Sequence, residues 1–358
     1  MKKALYILAA LAVVACSKTE TNYDADQNGE LVVVPVASNI TKAAITDGIY
    51  PEENHISLFA FHAPGFTAGE VSAADYAKFV ETYLYDTEYF YTGTQQSTRI
   101  WAGLKSSYYW PITGSLVFAG YALQAPTTPP TTEGERVESP KIGTSVKYTL
   151  ATDKLEIEGY TQSLDPDSAF DFLYFGRTPN SYNNRRTGDP IDLNFKHALS
   201  WITIEAVGGK GALVKDHGWS VTSVKLVGLQ NTGDFTYTGT ATENKVTWET
   251  PNTESTAEFV IFEGSKPLSN KLTAIENVTN GTLVIPQPAT TLCVTISYLS
   301  PAGDDITEEI KIDLSDYTTG GWEAGKKYTY QLSFDPTEIT VAPIVEKWPD
   351  PVVASPQF

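Results

Sequence analysis

Short segments of period-two hydrophobicity, each closed off by turn residues, run through almost the whole chain, and this rhythm leaves little room for anything but β structure. Candidate strands are Leu31–Ala37, His55–Phe61, Leu116–Leu123, Lys154–Ile157, Phe170–Phe175, Ile191–Phe195, Trp201–Val207 and Val221–Leu229. They continue with Lys245–Trp248, Glu258–Phe262, Leu283–Ile285, Leu292–Leu299, Glu308–Leu314, Lys327–Phe334 and Glu338–Val341. The richness in Tyr, Thr and Val agrees. One stretch carries helical spacing, Ala73–Tyr85, with Tyr76, Phe79, Val80 and Leu84. A Pro-rich loop spans Gln124–Pro140, and an Asn/Arg/Gly-rich segment, Thr178–Pro190, marks a boundary near mid-chain. The expected fold is all-β: two tandem β-sandwich domains, 31–190 and 191–358, with few short helices.

The N-terminus carries an address. Lys2 and Lys3 precede an apolar run, Ala4–Val14, too short to span a bilayer as a helix. It ends at Val13-Val14-Ala15-Cys16, the order of a bacterial lipoprotein signal in which the cysteine becomes the acylated N-terminus. The competing reading is an ordinary secretory leader with an incidental cysteine. Residues 1–16 are thus a signal peptide and 17–30, polar and acidic, a tether. Asp24-Ala-Asp26-Gln-Asn28-Gly29 begins like a calcium loop, but its twelfth position is Pro35 rather than a bidentate Glu.

The chain of 358 residues is 41% hydrophobic and 19% charged, enough to bury a sizeable core. Its formal charge is −18, and −20 once Lys2 and Lys3 leave with the leader, a balance that repels nucleic acid. With Cys16 given to lipid, Cys293 has no disulfide partner and reads as a small residue packed in a strand.

Catalytic signals are lacking. His55, His62, His197 and His217 show neither zinc-ligand spacing nor a His-Glu-x-x-His pair, and suit strand edges or caps. No nucleophile elbow, phosphate loop or dinucleotide fingerprint occurs, and no cofactor is expected. Asp165-Pro-Asp167 with Asp171 reads as a turn before a strand rather than a cation site. Tyr108-Tyr109-Trp110-Pro111 and Tyr83, Tyr85, Tyr89, Phe90 and Tyr91 read as packing, with a sugar-binding surface as the alternative.

Taken in order, several pieces of the chain resemble the fimbrillins of type V pili. They are the lipobox at Cys16; Leu31-Val-Val-Val-Pro-Val-Ala; Thr41-Lys42-Ala43-Ala44-Ile45; Asn54 to Phe61; Tyr109-Trp110-Pro111 leading into Ser115 to Tyr121; Asp171 to Tyr174; Phe195 to Ser200; Trp322 to Tyr330; and Ile339-Thr-Val-Ala-Pro with Trp348. The resemblance implies two transthyretin-like β-sandwiches, a lipidated precursor in the outer membrane, removal of the N-terminal strand by a surface protease, and polymerisation with other subunits by strand exchange. In that family the cut follows a basic residue; the matching bond here is Lys42–Ala43. The strand displaced would hold Leu31, Val32, Val33, Val34 and Val36. Pro35 predicts that it sits at a sheet edge. The C-terminal tail, 338–358, is the candidate donor through Ile339, Val341, Ile344 and Val345. The expected role is non-enzymatic: a pilus stalk subunit supporting adhesion. The alternatives are a tip or anchor subunit and a non-polymerising adhesin or glycan-binding lipoprotein with a host or glycan ligand.

Overall fold

In the computed structural model the described residues are 33–36, 39–40, 45–46 and most of 54–348; within the last range 67–73, 96–97, 106–107, 109–110, 112–113, 129–136, 166–167, 178–190, 210–216, 240–243, 251–256, 277–281 and 336–337 lie outside the description. The strands of the first part are β1 (Val33–Val36), β2 (Asn39–Ile40), β3 (Ile45–Thr46), β4 (His55–Ala63), β5 (Glu81–Gln95), β6 (Thr98–Gly103), β7 (Ser115–Leu123), β8 (Ser145–Thr149), β9 (Lys154–Thr161) and β10 (Leu173–Phe175). After the mid-chain segment come β11 (Ile191–Asn194), β12 (Lys196–His197), β13 (Ser200–Gly208), β14 (Ser220–Leu229), β15 (Thr232–Gly239), β16 (Asn244–Glu249) and β17 (Ala257–Pro267). The last are β18 (Thr273–Ala274), β19 (Thr282–Val284), β20 (Thr291–Leu299), β21 (Asp305–Asp313), β22 (Lys326–Asp335) and β23 (Glu338–Lys347). The chain is all-β, as the period-two rhythm requires.

Two sandwiches result. The first pairs an eight-stranded sheet, ordered β11-β1-β6-β5-β4-β7-β10-β12, with the sheet β16-β15-β9-β8. The second pairs β18-β13-β22-β23, with β19 also on β13, against β17-β14-β20-β21. In the second, alternate residues of β14 and β20 (Val224, Leu226; Leu292, Val294, Ile296) meet Ile202, Ile204, Tyr330 and Leu332 in one core. Cys293, of the opposite parity in β20, is buried outside that core.

β4 and β7 are buried at nearly every position. Their two faces serve two cores. Ile56, Leu58, Ala60, Leu116 and Phe118 face a cluster with Trp101, Leu173, Leu193 and Phe195. Phe59, Val117, Ala119 and Tyr121 face the sheet of β8, β9, β15 and β16. Such continuous burial explains why His55–Phe61 and Leu116–Leu123 read as unbroken apolar runs. A side chain at Gly120 would lie 2.3 Å from the Ser57 carbonyl of β4, so this close approach admits glycine alone.

The eight-stranded sheet is rolled. Its end strands β11 and β12 are separated by one residue, Phe195, and consecutive Cα atoms are about 3.8 Å apart. The two ends of the path must therefore lie side by side, around the core that holds Phe195. The strand β1 is not at an edge, contrary to the expectation from Pro35. It lies between β11, which it pairs in parallel from Val33↔Ile191 to Val36↔Asn194, and β6, which it meets at Val33↔Trp101. Pairing with β6 ends before Pro35, so the missing N–H falls where one flank has no ladder to interrupt.

A second expectation also fails. Ala73–Tyr85 is not a helix: a single 3-10 turn covers Asp75–Lys78, and Glu81–Gln95 forms β5. The run Thr82-Tyr83-Leu84-Tyr85 with Thr87, Tyr89 and Tyr91 favours the extended chain, and cross-strand pairing to β4 and β6 overrides the local spacing.

The second half of the chain returns to the first sandwich. β15 pairs β9 from Thr232↔Thr161 to Thr238↔Lys154, and β16 lies on its far side. Phe235 from β15 packs edge-on against Phe172 at 4.9 Å and beside Trp248 at 5.2 Å. Asp153, at φ +47°, accepts from Tyr148 (2.7 Å), Tyr237 (3.1 Å) and the Arg177 amide (2.8 Å), so one carboxylate ties β8, β15 and the end of β10 together. Truncating Phe235 to Ala should cost about 3–5 kcal/mol. Calorimetry should show one lowered transition, because the residue bridges the two halves; an undisturbed second-sandwich melt would contradict this.

Candidate functional site

The residues singled out from the sequence fall at the two ends of the chain. Cys16, Leu31, Val32, Lys42 and Ala43 lie outside the described residues. Val33, Val34 and Val36 belong to β1, whose backbone closes the rolled sheet between β6 and β11. On either side of the Lys42–Ala43 bond stand β2 and β3, which pair with each other through Asn39↔Thr46 and Ile40↔Ile45. The expected cut therefore lies in the connection of a two-stranded antiparallel ribbon.

Ile339, Val341, Ile344 and Val345 share one strand, β23, which is the last strand of its own sheet. It pairs β22 over ten positions, Asp335↔Glu338 to Lys326↔Lys347. Few of its side chains are covered. Ile339 and Val341 are half-buried against the second core, whereas Ile344 and Val345 are 40% and 50% exposed. The strand is held mainly by its backbone ladder and by the residue immediately after it, Trp348, which is 1% exposed. The Trp348 N–H donates to the Gly325 carbonyl at 2.9 Å, and its indole stacks on His197 at 3.6 Å and 11°. Trp201 lies at 5.4 Å, with Lys327 over its ring. Read residue by residue, the tail sets Trp348 among its other apolar side chains; the one signal that distinguishes it is a lone large aromatic at the boundary between a strand and a Pro-rich end.

Each histidine has a partner. His55 Nδ1 meets Glu88 at 2.5 Å, His62 Nδ1 meets Glu81 at 2.8 Å, His197 Nδ1 meets Asp171 at 3.1 Å, and His217 Nδ1 meets the Leu299 carbonyl at 2.6 Å. Asp171 is thus drawn into the interior, away from Asp165, which closes a turn by accepting from Ser168. Among the described residues no group of three or more His, Cys, Asp or Glu side chains could hold a metal ion. The aromatic cluster of β5 is largely packing: Tyr89 is fully buried and stacks near Tyr108, Tyr91 sits 5.0 Å from Trp101, and Tyr85 is half exposed.

Residues 17–348 match the profile of a family described as Fimbrillin-like. The chain belongs to the fimbrillin-like family. Among solved structures, this fimbrillin-like fold is similar to a fimbrial protein from Bacteroides vulgatus, at 16% identity and a TM-score of 0.56, over 89% of this chain and 99% of that one. Two others overlap it in length with lower scores: a protein from Bacteroides uniformis assigned provisionally to cell adhesion (15% identity, 90% and 99% covered, TM-score 0.47) and the tip fimbrial protein Mfa3 from Porphyromonas gingivalis (8%, 89% and 100%, TM-score 0.35). No curated protein sequence matches the chain.

Burial raises the Glu88 carboxyl, yet hydrogen bonds from His55 and from the Ser139 amide (2.8 Å) hold it below its usual 4.5. A depressed carboxyl stabilises the fold above its unfolded value and loses that contribution as the pH falls through the lower folded value. Glu88→Gln should therefore flatten the acid limb of a stability-versus-pH curve below pH 4.5. Parallel acid limbs in both proteins would show that the pair carries no linkage.

Proposed function

We propose that this fimbrillin-like protein is a structural subunit of a cell-surface pilus. It is made as an outer-membrane lipoprotein precursor anchored through Cys16, is cut between Lys42 and Ala43 by a surface protease, and joins other subunits of its family by strand exchange. The observation that carries the reading is β1, an N-terminal strand that completes a rolled sheet and has no covalent tie to it beyond the ribbon β2–β3. Once that ribbon is severed, the described backbone pairings that retain the strand are one parallel ladder with β11, one contact with β6 and the pairing of β2 with β3. Its departure separates β6 from β11 and uncovers the core of Trp101, Leu193 and Phe195. Unpaired strand edges beside an apolar groove are an open invitation to another strand.

The donor in this reading is β23. It leaves little behind in its own sheet, since most of its side chains are already exposed. In a groove, Ile344 and Val345 gain most, at about 1.5–3 kcal/mol for each side chain fully buried, while Ile339 and Val341 gain only the part still exposed. Ordering and association costs reduce the sum. Pro343 restricts a continuous ladder, and Pro349 and Pro351 lie beyond the last paired residue.

Sequencing the N-terminus of the surface-exposed protein tests processing directly. The polymerised form should begin at Ala43, and Cys16→Ser should abolish fatty-acid labelling of the precursor. A polymer that retains residues 31–37 would sink the proposal. Deleting 338–358 should leave a folded, lipidated precursor that forms no ladder of detergent-resistant polymers; normal ladders from the truncated chain would place the donor elsewhere.

A further inference from the structure

A short series of contacts leads from β1 to the residue that follows β23. β11 has β1 as its one strand neighbour among the described residues. β11 ends at Asn194, paired with Val36 of β1, and three residues further on is His197. Between them Phe195 plugs the rolled core, packed edge-on against Phe175 at 4.9 Å. The His197 ring is the surface on which Trp348 stacks, and Asp171 holds its other nitrogen, Nδ1. Trp348 in turn closes the end of β23, whose other side chains are mostly exposed.

The cluster is tightly stacked but poorly satisfied. Nε2 of His197, Nε1 of Trp348 and Nε1 of Trp201 are all buried without a hydrogen-bond partner. Buried polar groups in native proteins are ordinarily paired, and unpaired ones mark places where energy is held back. His197 and Trp348 form the stack, with Trp201 tilted beside it, and its place is set by the elements packed around it. One wall of those surroundings is the segment 191–197, whose first four residues are registered by β1 and whose last two, Lys196 and His197, pair with β10.

We propose that Trp348 and His197 form a latch that keeps the C-terminal strand docked until the N-terminal strand is lost. Departure of β1 frees β11; motion of β11 through Phe195 displaces His197; Trp348 loses its stacking surface, and β23 peels from β22. The device rests on the strand-exchange reading and adds an order of events to it: a subunit does not offer its donor before its own groove is open. Premature pairing between precursors is thereby suppressed without a separate chaperone.

Hydrogen exchange of the β23 amides, with β14 and β20 as internal references, tests the latch without any polymerisation assay. In the precursor the β23 amides should exchange slowly. In the form beginning at Ala43 they should exchange at least roughly tenfold faster, with the reference strands unchanged. Adding a synthetic peptide of residues 31–40 should restore slow exchange. Trp348→Ala in the intact precursor should give the same acceleration, and combining it with the cut should give no further increase. Trp348→Phe, which keeps a stacking ring, should stay near the precursor rate. If the form beginning at Ala43 does not fold, Val34→Pro in the full chain weakens the β1–β11 ladder and serves the same comparison. Equal β23 exchange in intact and cut protein overturns the latch even where polymers form. Polymer failure with the predicted exchange pattern leaves the latch standing and refutes strand exchange instead.

Discussion

Closure of the rolled sheet through Phe195 is the constraint on which the rest of the molecule depends. A single residue joins the two ends of an eight-strand path, so the sheet has no freedom to open flat. Its interior must be filled from β4, β5, β6, β7, β10 and β11 at once, and the cluster of Trp101, Phe118, Phe175 and Phe195 does so. The outer face is then free to take the second sheet, which borrows β15 and β16 from beyond residue 190. The first sandwich is consequently incomplete without β11, β12, β15 and β16, whereas every strand of the second comes from residues 200–347.

Much of this architecture is visible in the chain itself, and what is hidden is hidden for physical reasons. The alternating strands of the second sandwich, such as Leu292–Leu299 and Lys327–Phe334, each have one core face, and period two reports that directly. β5 escapes notice because Tyr and Thr at 82–91 place large side chains on both faces, so no alternation survives and accidental helical spacing takes its place. Pro35 misleads in another way. It reports one unladdered flank at its own position, not the place of the whole strand in the sheet, and β1 is interior at Val33 and one-sided two residues later. Parallel pairing of β1 with β11, across more than 150 residues of chain, leaves no local trace at all.

The candidate site divides in the same manner. Its two strands are legible as apolar runs flanking a basic residue and closing the chain. The series of contacts that links them is not, because it runs through β11, Phe195 and the stacking of His197 on Trp348, which sequence distance conceals. His197 reads as a residue beside a strand, and Asp171 as part of an acidic turn; only the fold shows that the two are partners and that both are buried.

The direction in which β23 runs has a mechanical consequence. Its C-terminal end, Lys347, pairs with the first residue of β22, and the connection between the two strands lies at the opposite end. Tension applied to the tail therefore does not shear ten backbone pairs together. It meets Trp348 first, as a knot meets the rim of a hole, and once the indole is drawn out the ladder opens one rung at a time towards residue 338. Resistance to load on the tail of the free subunit therefore begins at one aromatic ring and is then spread over the rungs in turn, never over all ten at once.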